Sequence, residues 1–425
     1  MNRKARSFLE KHGMNPDRVD PEGEARKISQ TMERGLLGPC DSMPMIPTFL
    51  RTDRELPHGS CAVVIDAGGT NFRAGLVRFL PEGYRLEHLV KKPMPGIAEP
   101  ATWEEFIRFT ADAIEPFVNE TDEIGFCFSY SAVITPEIDG RVIRIDKEVV
   151  VTGSEGRLVG RSLCEELARR GITGKHVVIL NDSAAVLLGG LSGLDRSAVG
   201  GLIGQVSGTG SNTCCVLPMR RAAKLGRDED TPIIINMESG LYDGLPRGDF
   251  DCALDAESHN PGLKFFEKMT AGVYLGELAR LMLEKAYEEG LLSTETMEGV
   301  RRAGHFDAAL LDAWALGEHE EGICSCAEDA AFISDIAGAL FERSARSMCA
   351  MLAGIALTTG EGRDPLRPVV VCAEGSLVQK GRVYRPILEE LLKTEALAKL
   401  GLSIVLRVGE ETTLPGAAAA ALLNR

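Results

Sequence analysis

Six polar positions stand where short apolar runs end: Asp66 after Val63-Val64-Ile65, Ser129 after Phe126-Cys127-Phe128, Asn181-Asp182 after Val178-Ile179-Leu180, Gly208-Thr209-Gly210 after residues 198–205, Glu238 after Ile233-Ile234-Ile235, and Glu374 after Val369-Val370-Val371. In open α/β sheets, ligands bind outside the carboxyl ends of strands. Carboxylates accept hydrogen bonds from hydroxyls, and amides both donate and accept, so these side chains suit a polyhydroxylated ligand. Two glycine-rich turns, one around Gly68-Gly69-Thr70-Asn71 and one at Gly208-Thr209-Gly210-Ser211, suit a polyphosphate beside it. Glycine lets backbone approach a ligand without a Cβ in the way, and successive N–H groups can form an anion nest. The set points to phosphoryl transfer from a nucleotide to a sugar hydroxyl.

Within that reading Asp182 is the best base, because an attacking hydroxyl must lose its proton and kinases give this task to an Asp. The competing reading makes Asp182 only a helix N-cap. Asp66 cannot ligate phosphate directly, but it can hold Mg²⁺ through water beside a nucleotide. Its turn also reads as an ordinary hairpin, and it matches neither the Walker loop nor the dinucleotide fingerprint. Lys147 is the one basic residue singled out in the first half, to bridge substrate oxygens or phosphate, with a solvated surface lysine as the plain alternative. Glu238 and Glu267 could form a glycosidase-like carboxylate pair, which leaves both glycine turns unexplained. His259 and His305 lack a nucleophile or metal pattern and read as structural or surface groups. No Gly-x-Ser-x-Gly elbow follows a strand, so a hydrolase triad has no support.

The elements that must position these residues alternate between periods. Residues 61–80 read as strand, turn, strand, with a third strand at Leu86–Lys92. Apolar positions from Trp103 to Phe117 recur near a 3.6 period and predict a helix over 102–117. Strands follow at 123–128, 142–147 and 176–180, with helices over 158–170 and 183–191. The strand, glycine-rich turn, strand device then recurs at 198–217, which suggests a duplicated α/β architecture with a cleft between its halves. Residues 261–361 are mostly helical, and 328–360 is long enough for two helices. Residues 384–400 and 416–423 read as helices around a strand at 404–408. The proline- and glycine-rich stretch 38–60 reads as an extended lead into the core, after a short amphipathic helix over 28–37.

With 425 residues, at least two domains are expected. A net charge of −15 disfavours nucleic acid or an anionic membrane as partner, yet permits a nucleotide in a local N–H-lined pocket. No window reaches the ~18 apolar residues needed to span a bilayer, and the first residues lack the apolar core of a secretory signal. Eleven cysteines, mostly in apolar company, read as small buried hydrophobes of a reducing compartment, with the cytoplasm as expected location. Cys324-Ser325-Cys326 has no second pair at zinc spacing.

Ordered motifs along nearly the whole chain resemble the hexokinase family of eukaryotic type, within the sugar-kinase, heat-shock-70 and actin superfamily. MERGL and DSMPMIPTFL resemble its entry segment, and DAGGTNFRAGLVRF its first phosphate motif, usually DLGGTNFR. GFCFSYSAV resembles the sugar segment GFTFSFPC, and VVILNDSAAVLLGG the segment bearing the catalytic aspartate. SGTGSNTCCV resembles the second phosphate motif, IINMESG resembles INMEWG, and VVVCAEGSLVQK the adenosine-side segment. NPGLKFFEKMTAGVYLGELAR is the most specific match.

The resemblance implies two α/β domains of ribonuclease H-like, actin-like type flanking a deep cleft, the larger with added helices. Its expected parts are an N-terminal helical and extended segment over 1–60 packing on the large domain, a small domain over 61–181 and a large domain over 182–425, whose last helix returns to the small one. It implies ATP and Mg²⁺ as cofactors and transfer of the γ-phosphoryl group to the 6-hydroxyl of glucose or a related hexose, with closure on sugar binding. Ser129, Lys147, Asn181, Asp182, Asn212, Glu238 and Glu267 would contact the sugar, and Asp182 and Lys147 would be catalytic. Asp66, Gly68, Gly69, Thr70, Asn71 and Arg73 would form the first phosphate turn, with Asp66 near the metal. Gly208, Thr209, Gly210 and Ser211 would form the second, and Gly375 and Ser376 the nucleotide side. The expected partners are a hexose and a nucleotide, with no nucleic acid or membrane; monomer and dimer both stay open. The chain departs from the family pattern at Tyr130-Ser131-Ala132 (usually Phe-Pro-Cys), Asp146 (usually Thr), Ser239 (usually Trp) and Glu374 (usually Asp). These departures bear on sugar preference. A sugar-binding regulator on the same fold, or a kinase for a different hexose or amino sugar, are the alternatives.

Overall fold

A computed structural model describes residues 1–145 and 149–425. In chain order its strands are β1 Ile46–Arg51, β2 Cys61–Gly68, β3 Asn71–Leu80, β4 Gly83–Pro93, β5 Ala101–Thr102, β6 Glu123–Phe128, β7 Ser131–Ile134 and β8 Gly140–Arg144. They continue as β9 Val151–Thr152, β10 His176–Leu180, β11 Gly201–Ser207, β12 Ser211–Pro218, β13 Pro232–Asn236, β14 Val369–Glu374 and β15 Ile404–Val408. The chain divides into two compact units, each assembled from three segments. The first comprises Met1–Pro44, Ser197–Thr213 and Glu238–Val408, and the second Met45–Arg196, Cys214–Met237 and Gly409–Arg425. Both are mixed α/β, with added helices in the first.

The second unit is built on a five-stranded sheet in the order β10-β6-β2-β3-β4. β10, β6 and β2 run parallel, and β3 and β4 return antiparallel. Val63, Val64 and Ile65 are all fully buried, as an apolar run covered on both faces requires. One face packs on the helix Trp103–Ile114, where Trp103, Phe106 and Ile107 join Val63, Ile65 and Phe126 in one core. That helix starts at a capping box: Thr102 accepts from the Glu105 N–H, and the Glu105 carboxylate accepts from the Thr102 N–H at 2.8 Å. The C-terminal helix Thr413–Leu423 approaches β6 so closely that a Cβ on Gly125 would lie 1.9 Å from the Ala417 carbonyl oxygen. Gly416 meets the helix Asp182–Gly190 in the same way, 1.8 Å from the Ala185 oxygen. β4 carries Arg85, Glu87, Lys91 and Lys92 along the sheet's edge, where charge discourages pairing with other chains.

Residues 38–60, expected to be extended, contain the strand β1, which pairs antiparallel with β13. Pro47 is tolerated there because β1 is an edge strand.

In the first unit β11, β14 and β15 run parallel. The region expected to hold two helices is one helix of 33 residues, Ala327–Thr359, with no proline to interrupt it. It ends at Gly360, whose φ of +78° is the usual left-handed stop. It packs on Pro21–Leu37, longer than the helix expected over 28–37 and started by Asp20, whose carboxylate accepts from the N–H groups of Glu22 and Gly23. Arg343, within the long helix, forms a buried two-point ion pair with Asp251 at 2.9 and 2.5 Å. The expected helix over 384–400 is α-helical over Tyr384–Leu391, π-helical over Leu392–Leu397 and α-helical again over Ala398–Leu400. No helix among the described residues is long and apolar enough to cross a membrane.

Candidate active site

The parallel register of the second unit explains its polar cluster. Leu180 pairs with Cys127 and Cys127 with Asp66, so β10, β6 and β2 end together. The next residues along the first two strands are Asn181-Asp182 and Ser129. Sequence-distant groups thus meet at one sheet edge, where strand carboxyl ends bind ligands.

Asp66 is mostly buried, and its Oδ2 accepts from Arg73 Nε at 2.9 Å and Nη2 at 2.6 Å. Burial raises the Asp66 carboxyl above the ordinary value; the Arg73 guanidinium pulls it down, and the Asp182 charge pushes it up again. β2 and β3 are joined by the two-residue turn Gly69-Thr70, with Gly68 opposite Asn71 and Gly69 at φ +57°. The turn is held from outside: Tyr130 Oη donates to the Gly69 carbonyl at 3.2 Å, and Met94 N–H to that of Thr70 at 3.0 Å. Asn71 Nδ2 donates to Thr70 Oγ1. Ser129 Oγ lies 2.9 Å from where a Cβ on Gly68 would stand, so the serine sits directly over the turn. Asn181 is the N-cap of the helix Asp182–Gly190, its Oδ1 accepting from Ala184 N–H at 3.2 Å. Asp182 is the first helical residue, with Oδ1 accepting from Ser183 N–H at 2.8 Å.

The first unit gathers the rest. Val206 pairs with Glu374, so the exits of β11 and β14 are side by side. A Cβ on Gly375, at φ +123°, would lie 2.2 Å from the Ser207 carbonyl oxygen, so only glycine lets the second turn and Ser376 approach. Gly208 N–H donates to the Gly210 carbonyl at 3.0 Å, and its own carbonyl accepts from Gly272 N–H at 2.8 Å, tying the turn that carries Thr209 to the helix Gly272–Glu288. Asn212 Oδ1 accepts from the N–H groups of Thr213 and Ser239, which holds the backbone after Glu238. Glu238 itself has φ +53°. Glu267 Oε2 accepts from Ser211 N–H at 3.2 Å, joining the turn to the helix Phe265–Thr270.

The expected residues therefore form two groups, one per unit. Asp66, Gly68, Gly69, Thr70, Asn71, Arg73, Ser129, Asn181 and Asp182 belong to the second unit. Gly208, Thr209, Gly210, Ser211, Asn212, Glu238, Glu267, Gly375 and Ser376 belong to the first. Lys147 and Asp146 lie outside the described residues. Sequence reasoning missed two contacts. Tyr130 is the donor on the first turn, hinted at only by its place beside Ser129. Lys264 pairs with Glu267 at 3.2 Å, and its spacing three residues before the glutamate is the one signal for it.

Two family models, both described as hexokinase, match residues 5–191 and 202–423. The chain is 30% identical over 422 residues to Hexokinase-1 of Schizosaccharomyces pombe, covering 92% of this chain and 85% of that protein. It is 28% identical to Hexokinase-1 of Nicotiana tabacum, covering 99% and 90%. Its fold is that of the Schistosoma mansoni hexokinase solved with glucose, with a TM-score of 0.75 at 21% identity over 98% of this chain and 99% of that one. A second hexokinase crystal structure gives 0.81 at 22% identity, covering 99% and 100%. The chain belongs to the hexokinase family, enzymes that phosphorylate a hexose sugar with ATP.

Proposed function

We propose that the chain transfers the γ-phosphoryl group of ATP, taken as its Mg²⁺ complex, to the 6-hydroxyl of glucose or a closely related hexose. The observation that supports this reading most is the alignment of β10, β6 and β2, which sets Asp182, Ser129 and the Asp66–Arg73 pair at one sheet edge. Asp182 takes the proton of the attacking hydroxyl. Ser129 and Asn181 orient sugar hydroxyls on the same edge, and Asn212, Glu238, Glu267 and Lys147 complete the sugar contacts. The turn Gly68–Arg73 and the turn Gly208–Ser211 face phosphate, with Gly375 and Ser376 on the nucleotide side.

Asp66 has the chemistry for a hydrated Mg²⁺. Its Oδ2 is committed to Arg73, while Oδ1 lies toward Gly68, 3.9 Å from where a Cβ there would stand. A hard cation that keeps most of its waters suits one carboxylate oxygen reached through water. Mg²⁺, when bound, neutralises charge on the phosphates. Its charge would also offset the burial and the Asp182 repulsion acting on Asp66.

The test measures ADP release from Mg-ATP with glucose, fructose and mannose, identifies the phosphate position by NMR, and compares Asp182→Ala. The expected result is a sugar-6-phosphate, with kcat falling by about 10²–10⁴ in the variant, the usual size of a general-base contribution, while sugar still binds. An unchanged kcat would remove Asp182 from its role.

A further inference from the structure

Lys264 lies among the acidic groups of the first unit. It is the residue before the helix Phe265–Thr270 and has a left-handed backbone, φ +59° and ψ +41°. Glu238 shares that conformation at φ +53°. L-residues rarely adopt it, and side chains held there by their surroundings gather at functional sites. The segment after Glu238 packs on the same helix: Phe266 N–H donates to the Tyr242 carbonyl, and a Cβ on Gly240 would lie 3.3 Å from Glu267 Cβ.

The Glu267 carboxylate is divided between two donors. Oε2 takes the Ser211 N–H and Oε1 the Lys264 ammonium, both at 3.2 Å. Burial lowers the Lys264 ammonium, but Glu267, Glu238 and Tyr274 carry it above the ordinary lysine value. The lysine thus stays charged beside two glutamates. The ammonium places a positive charge against the Glu267 carboxylate, one of the proposed acceptors for sugar hydroxyls.

We propose that Lys264 is a specificity-determining residue of the sugar pocket, selecting a neutral hexose over one that carries an ammonium group. This rests on the reading that Glu238 and Glu267 grip the sugar. A 2-amino-2-deoxyhexose, once protonated, competes with Lys264 for the same carboxylates and is repelled by it. An unsubstituted hexose brings no charge and only donates hydroxyls to those carboxylates.

The experiment measures dissociation constants of glucose and glucosamine by calorimetry, so that a sugar bound without turnover still counts. It uses the full chain, K264Q and K264R, at one pH where the sugar amine is protonated and one where it is neutral. The expected result is that K264Q shifts the affinity ratio toward protonated glucosamine by about tenfold, the scale of a partly solvated charge pair. The shift disappears with the neutral amine, and K264R keeps the original ratio. A ratio unchanged in K264Q at both pH values overturns the proposal, as does an equal shift for the neutral amine. E267Q separates the two readings: if it leaves glucose affinity untouched, the sugar assignment of Glu267 itself fails.

Discussion

Asn181 caps the helix Asp182–Gly190 by accepting from the N3 N–H of Ala184, and Asp182, the first helical residue, turns one carboxylate oxygen to the N2 N–H of Ser183. The N-cap role, which the sequence alone offers to Asp182, thus falls mainly to Asn181, the residue beside the proposed base. A second titrating side chain gives a stability prediction. His319 stacks on Trp314 and places Nε2 2.9 Å from Ser334 Oγ. Burial lowers its imidazole below 6.5, against a smaller pull upward from the Ala330 carbonyl. The folded chain then binds fewer protons than the unfolded one near that value, so stability is full above about pH 6.5, the ordinary imidazole value, and is lost as pH falls toward the folded pKa. A thermal-melting series across this window should slope downward with falling pH, and H319Q should flatten it; parallel profiles would contradict the assignment. The strand-end acids were legible because each follows an apolar run that can only be a buried strand. Lys264 was not, because its reach to Glu267 depends on a left-handed backbone that no local pattern announces.

At the scale of elements, the helix Thr413–Leu423 bears on the proposed site through the helix that Asp182 begins. Gly416 lies against Ala185, on the helix that Asp182 begins. Gly416→Val should force the two helices apart, at about 1–3 kcal/mol for overpacking, and lower kcat by displacing Asp182. Denaturant unfolding and steady-state kinetics on the same preparation check both; wild-type values in each would show that the contact yields freely. The central strands and the helix around Trp103 were readable because their periods are clean. Residues 327–359 were harder: alanine, leucine and methionine on every face erase the stripe that marks a break, and the glycines within the run resemble stops. β1 was hidden by Pro44 and Pro47, which signal an extended chain but not its pairing with β13.

For the whole molecule, a ligand that binds only the folded chain adds stability by mass action, about 2.7 kcal/mol at a hundred times Kd. Glucose at that excess should raise the melting temperature by several degrees, and a non-substrate sugar should not. No shift with glucose, fructose or mannose would argue against the hexose assignment. The formal charge of −15 gives the chain no general attraction for polyanions, so the proposed nucleotide would depend on local N–H groups and Arg73.

The assembly of each unit from three separate chain segments also sets an order of events during synthesis. The five-stranded sheet is complete once His176–Leu180 has left the ribosome, yet β6 still lacks the Ala417 backbone that fills the space at Gly125, and the helix Asp182–Gly190 lacks the Gly416 backbone that packs on Ala185. That partner is made only after the long helix and both strands behind it. Through most of translation this apolar face waits uncovered, the kind of transient exposure that invites aggregation, and the proposed base takes its final place among the last events of folding.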